Sequence, residues 1–266
     1  MKRCGFILLC ALVVLCVLLA GCEGKTAERS EAGEVFAFCG GEAENFAKTF
    51  DVNEMNCMEY RYTMDTPVSC RITDKAAMQT IFNALCEVKI GERTDMRATD
   101  SEQSLTFVKT DGTTCVIRFE QRNLLYEENA YQLENDAALW KALREAKYAW
   151  AGQLRAGGRK AEAVKLYKEL ASEVKTRQGA EAAYYVIESL FEGGDLDATE
   201  KAVFAFSERE PDSYWLAKAF ILLGDVYVRK GDNFQARATY QSVADGYTPA
   251  DDGIVDEAKA RIAKLN

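Results

Sequence analysis

The 266-residue sequence predicts an α+β protein: a small antiparallel sheet with a packed helix, followed by an all-α solenoid of helical hairpins. Three observations predict it. Between Met58 and Leu133 apolar residues alternate in short stretches, the period of half-buried strands. One stretch inside that region, carrying Met78, Ile81, Phe82 and Leu85, switches to helical spacing. Beyond Leu143 the spacing is helical throughout, and Gly158, Gly194 and Gly231 recur 36 and 37 residues apart.

At the start, Lys2 and Arg3 precede an unbroken apolar run from Phe6 to Leu19, which closes on Leu19-Ala20-Gly21-Cys22. A positive end, an apolar centre too short to span a bilayer and small residues before a cleavage point mark residues 1–21 as a secretory signal. The closing residues resemble a bacterial lipobox. That resemblance implies cleavage before Cys22, acylation of this cysteine and a lipid anchor in the cell membrane or outer membrane, with the chain facing the periplasm or exterior. Two or three acyl chains hold stably where one is marginal. Glu23 stands where an aspartate commonly marks inner-membrane retention, which points toward the outer membrane. Residues 22–34, small and charged without periodicity, read as a flexible tether.

Residues 35–143 form the α+β part. Met58, Tyr60 and Tyr62 alternate with polar neighbours, as do Val68, Cys70 and Ile72, and Asp65-Thr66-Pro67 between them suggests a hairpin. Thr73-Asp74 offers an N-cap for the helix that follows. Leu105 and Phe107, then Cys115, Ile117 and Phe119, are strands joined across Asp111-Gly112, a pair that tolerates a tight turn. Leu124 to Tyr126 and Tyr131 to Leu133 complete a meander, giving the order β-β-α-β-β-β-β-α. The runs ITDKAAMQTIFNALCEVKIGERT and LTFVKTDGTTCVIRF resemble a small module of gut-bacterial lipoproteins, which implies an architecture and no activity. A helix capped by Asn135 or Asp136 runs unbroken past Leu143 toward Leu154, so one helix of about 20 residues serves both parts and no linker separates them.

Residues 144–266 carry the hairpins. Phe220, Leu223, Gly224, Tyr227, Gly231, Ala236 and Tyr240 stand at the spacing of a tetratricopeptide repeat, and this stretch resembles that family at all seven positions. Trp150, Leu154, Gly158, Ala163 and Tyr167 match in a first repeat, with Trp150-Ala151 in place of Leu-Gly. Leu190, Gly194 and Pro211 match in a second, where Thr199 takes the small position. Asp256 to Leu265 read as a capping helix over the exposed edge, which solenoids need for solubility. The resemblance implies three repeats whose first helices line a partner-binding groove. By offset its side chains are Glu145, Tyr148 and Arg155; Glu181, Tyr184, Glu188 and Glu192; then Lys218, Asp225 and Arg229. The middle repeat is acidic with no base of its own to offset it, which favours an extended protein segment bearing Lys or Arg.

Composition excludes several chemistries. The net charge of −9, carried mainly by the front half, and the lack of a basic run speak against nucleic acid. With no histidine there is no Ser-His hydrolysis. No P-loop, nucleophile elbow or dinucleotide fingerprint occurs, so the sequence calls for no cofactor, metal or catalytic residue and reads as non-enzymatic. Past Cys22, the thiols Cys39, Cys57, Cys70, Cys86 and Cys115 lack metal-ligand spacing and fit core positions, with two disulfides as the alternative in an exported chain. The expected function is an envelope-anchored scaffold for protein-protein contacts. The alternative is a sensory or ligand-binding lipoprotein with a small-molecule site in the α+β part, which requires a deep apolar pocket there rather than a filled core.

Overall fold

The structure, a computed structural model, describes residues 33–63, 68–94 and 102–265. Cys22, the tether before Gly33 and the Asp65-Thr66-Pro67 turn lie outside the described residues. The architecture is mixed α+β, a seven-stranded antiparallel sheet followed by an all-helical part.

Two short helices, α1 (Glu34–Phe38) and α2 (Gly41–Lys48), precede the sheet. Its strands are β1 (Met55–Tyr62), β2 (Val68–Ile72), β3 (Lys89–Thr94), β4 (Gln103–Lys109), β5 (Thr114–Glu120), β6 (Asn123–Tyr126) and β7 (Asn129–Glu134), in the spatial order β2-β1-β4-β5-β6-β7-β3. Helix α3 (Lys75–Cys86) starts where Asp74 accepts the Ala77 N–H at 2.7 Å. Alternation places Met58, Tyr60, Leu105, Phe107, Ile117 and Phe119 on one buried face. Phe36, Phe46, Phe50 and Phe82 close over Phe107. The Phe50 and Phe82 rings stack at 3.7 Å, and Phe107 meets Phe82 edge-on at 6.2 Å. Such contacts fill the space between sheet and helices.

Three elements are additional to the expected order. Strand β3 is additional: KIGERT has no apolar alternation, and it is held by pairing, Lys89 opposite Glu134 and Ile90 opposite Leu133. The Glu34 carboxylate accepts the Ile90 N–H at 3.1 Å. Helices α1 and α2 are likewise additional, and Val35 and Phe36 are fully buried.

The hairpins β5-β6 and β6-β7 turn on Gln121-Arg122 and Glu127-Glu128, all four with φ between 45° and 68°. Mirror-image turns of this kind normally use Asn or Gly. At Arg122 the strained backbone aims the guanidinium at Asp136, which it meets with two bonds of 3.2 and 2.9 Å. The Trp140 indole N–H donates to the same carboxylate at 2.5 Å. This clamp fixes the start of α4 (Ala137–Ala156), the 20-residue helix that the sequence places across both parts. Its front half buries Leu139, Ala142 and Leu143 toward α3 and β2, and its rear half buries Ala151 and Leu154 against α5 (Lys160–Leu170). One core therefore runs without a gap from Val35 to Leu170 and Ala182.

Helices α6 (Arg177–Glu192), α7 (Leu196–Ser207), α8 (Ser213–Arg229), α9 (Asn233–Gly246) and α10 (Ile254–Ala263) follow. The hairpins α4-α5, α6-α7 and α8-α9 turn at Gly158, Gly194 and Gly231, with φ of 78°, 83° and 79°. That left-handed region favours glycine. Gly224 on α8 lies against the Tyr240 ring of α9, with no room for a side chain. Thr199, at the small position of α7, is fully buried and satisfies its hydroxyl by donating to Asp195 O at 2.7 Å, so it packs without an orphaned polar atom. Helix α10 covers Ala236 and Tyr240 with Ile254 and Ala258. Among the described residues no helix is long and apolar enough to cross a membrane.

Candidate functional site

The first helices of the hairpins, α4, α6 and α8, carry all ten expected groove residues. Most of these side chains join neighbouring hairpins. Between α4 and α6, the Tyr148 hydroxyl donates to Glu181, and Arg155 Nη2 meets Glu188 Oε2 at 2.7 Å. Arg155 also lies 3.9 Å over the Tyr185 ring. The Tyr184 hydroxyl donates to Glu188 at 3.3 Å, while its ring is buried against Trp215. Glu192 is met by Lys160 at 2.5 Å.

Farther along, Arg229 donates to Phe191 O at 2.9 Å and stacks 3.8 Å over that ring. Lys218 reaches Glu257 of α10 at 2.9 Å. Asp225 accepts the Tyr240 hydroxyl at 2.6 Å and Arg261 Nε at 2.9 Å. Glu145 is about half exposed, with Lys141 at 4.0 Å.

Two of the three glutamates of the middle hairpin are offset from the preceding hairpin, Glu188 by Arg155 and Glu192 by Lys160, while Glu181 accepts a hydrogen bond from the neutral Tyr148 hydroxyl. The signal was present in the sequence: Tyr148 and Arg155 each stand 33 residues before their acidic partner. The same reading overlooked Lys160, Glu257 and Arg261, and also Lys230, which bridges Asp197 and Glu200 at 2.6 Å. Hydrogen bonding to Lys230 holds both of those carboxyls below their usual range. Burial, then the bond to Glu181, pushes the Tyr148 phenol up; burial, then the charge of Glu188, does so for Tyr184. Both remain neutral donors at physiological pH.

An open cleft of about 190 Å³ lies at the front of this surface, between α4 and the entry to α6. Lys141, Arg144, Glu145, Tyr148, Glu173 and Gln178 line it, and Arg144 is ion-paired to Glu173 across it. Of the expected groove residues, Glu145 and Tyr148 are the two brought together here.

The thiols are quiet. Cys57, Cys70 and Cys115 are buried and unbridged. Burial pushes Cys39 and Cys86 up to about 11 and Cys70 and Cys115 up to about 12, leaving almost no thiolate near neutrality. Among the described residues no group of three or more Cys, Asp or Glu side chains is placed to hold a metal ion. No protein-family model, curated protein or solved structure matches the chain.

Proposed function

We propose that the chain is an envelope-anchored lipoprotein, attached through Cys22, whose hairpins are tetratricopeptide repeats that scaffold protein-protein contacts without catalysis. The observation that carries the repeat reading is the seating of Gly224 against Tyr240 beside left-handed turn glycines, the packing those motif positions require. The partner is an envelope protein. The recognition surface is the front cleft around the half-exposed Glu145, because Tyr148 and the side chains farther along the array are engaged in holding hairpins together. The phenylalanine-filled space under the sheet favours a scaffold over a small-molecule sensor.

In-cell photocrosslinking tests this directly. A photoreactive amino acid at Glu145 is expected to capture a discrete protein partner, and the same group at exposed Ala238 on α9 is not. Equal capture from both positions, or none from Glu145, overturns the reading. Replacing Cys22 by Ala is expected to release the chain from the membrane fraction.

A further inference from the structure

We propose that the cleft where the sheet meets the first helical hairpin binds an acidic sugar, a pyranose carrying a carboxylate. The cleft measures about 250 Å³ and brings together residues of β1, β2, α4, the α4-α5 turn and the first turn of α5. Its size lies below the ~300–1,000 Å³ of sites for drug-sized ligands, which suits a single ring. The inference stands apart from the repeat and lipoprotein readings, since it uses neither the groove nor Cys22.

The strand register sets the polar floor. Arg61 stands opposite Ser69 and Glu59 opposite Arg71, so two guanidinium groups flank one carboxylate. Arg61 Nη2 lies 3.0 Å and Arg71 Nη1 3.6 Å from Glu59. Two guanidiniums carry about ten N–H donors and one carboxylate about four acceptor sites, so the pair has capacity for a second anion. On the opposite wall Arg159 grips Glu162 through two bonds of 2.6 Å. Within a chain of net charge −9, this cleft holds three guanidinium groups against two carboxylates.

Trp150 supplies the remaining element. It packs against the core and also lines the cleft, offering an indole surface to the C–H face of a sugar ring. A ligand carboxylate would sit on Arg61 and Arg71 as a charge-assisted, fork-type contact. Ring hydroxyls would donate to Glu162 and accept from Ser69. Inorganic phosphate satisfies the arginines and leaves Trp150 unused; a neutral sugar does the reverse. An acidic sugar uses both.

The test is calorimetric titration of the whole protein at low salt with D-glucuronate, D-glucose and inorganic phosphate. Glucuronate is expected to bind with a dissociation constant of roughly 1 mM, and glucose and phosphate at least about tenfold more weakly. Arg61→Gln with Arg71→Gln is expected to lower glucuronate affinity about tenfold or more, with at most a small fall in melting temperature because Arg61 is mostly and Arg71 about half exposed. Should that double variant fail to fold, Arg159→Gln on the exposed turn gives a second, smaller loss. Lys175→Gln, remote from the cleft, is expected to change nothing. Methyl glucuronide binding as well as the free acid supports a glycosidically linked residue, and weaker binding supports the free sugar. Absence of glucuronate binding, equal binding of glucose or phosphate, or full affinity in the arginine variants overturns the proposal.

Discussion

Gly224→Ala is the sharpest test of how the helical part is held together. A Cβ on Gly224 would stand 2.2 Å from Cε1 and 2.6 Å from Cδ1 and Cζ of Tyr240. Carbon atoms rest near ~3.5 Å, so the ring must retreat by about 1.3 Å. It has little freedom to do so: Tyr240 is fully buried, its hydroxyl is bound to Asp225, and Asp225 is gripped by Arg261 of α10. Overpacking costs about 1–3 kcal/mol. Disturbing the phenol-carboxylate bond adds about 1–2 kcal/mol. The helical preference of Ala over Gly returns about 1 kcal/mol. The expected net loss is about 1–4 kcal/mol, read as a fall of roughly 0.5–1.5 M in the urea midpoint. Gly152→Ala in α4 is the matched control, because a Cβ there meets no atom within 4 Å. It is expected to raise stability by about 1 kcal/mol. In a Tyr240→Leu background the penalty at Gly224 should shrink by at least about half. A midpoint for Gly224→Ala at or above the parent, or a penalty unchanged by Tyr240→Leu, refutes the packing account.

Replacing Glu127-Glu128 by Asn-Gly should stabilise the protein by about 1 kcal/mol in urea or thermal unfolding, since both positions already carry positive φ. Arg155→Ala leaves Glu188 partly buried without its ion-pair partner and should cost about 1 kcal/mol, with the difference shrinking at about 1 M salt. The buried thiols predict an alkaline weakness. Below the ordinary thiol value of 9.0 both folded and unfolded chains keep these protons; above it the unfolded chain releases them first, and Cys70 and Cys115 in the fold hold theirs to about 12. Stability therefore falls as pH rises through this interval, and Cys115→Ala should lose less of its urea midpoint than the parent between pH of about 8 and about 10.5.

The strands that bury one face were legible because Met58, Tyr60, Leu105, Phe107, Ile117 and Phe119 obey a period of two. Strand β3 was not, since its residues are partly exposed on both faces and its identity comes from pairing to β7, a contact distant in sequence. Helix α1 is too short to display a period and α2 spans only eight residues; burial of Val35 and Phe36 on the first and of Phe46 and Ala47 on the second reveals their place in the core. At the candidate site, spacing placed the ten groove residues on α4, α6 and α8, where Glu145 is half exposed. It misjudged Glu188 and Glu192 because a within-repeat charge balance ignores the hairpin before, where Arg155 and Lys160 wait one period earlier. Register across repeats, rather than composition within one, decides which charges are left for a partner.

Helix α4 changes how the helical part can assemble. A first helix ordinarily meets the cost of nucleation alone, but the early turns of α4 are laid down on β2 and α3 and pinned by the Arg122-Asp136-Trp140 clamp. The sheet thus gives the first turns of α4 a surface to pack on, and the later hairpins pack mainly on their neighbours. Fraying should begin at α10 and travel inward. A hairpin inserted before α4 would have to break the seam between α4 and the sheet, whereas one added at the other end need only displace the covering helix α10.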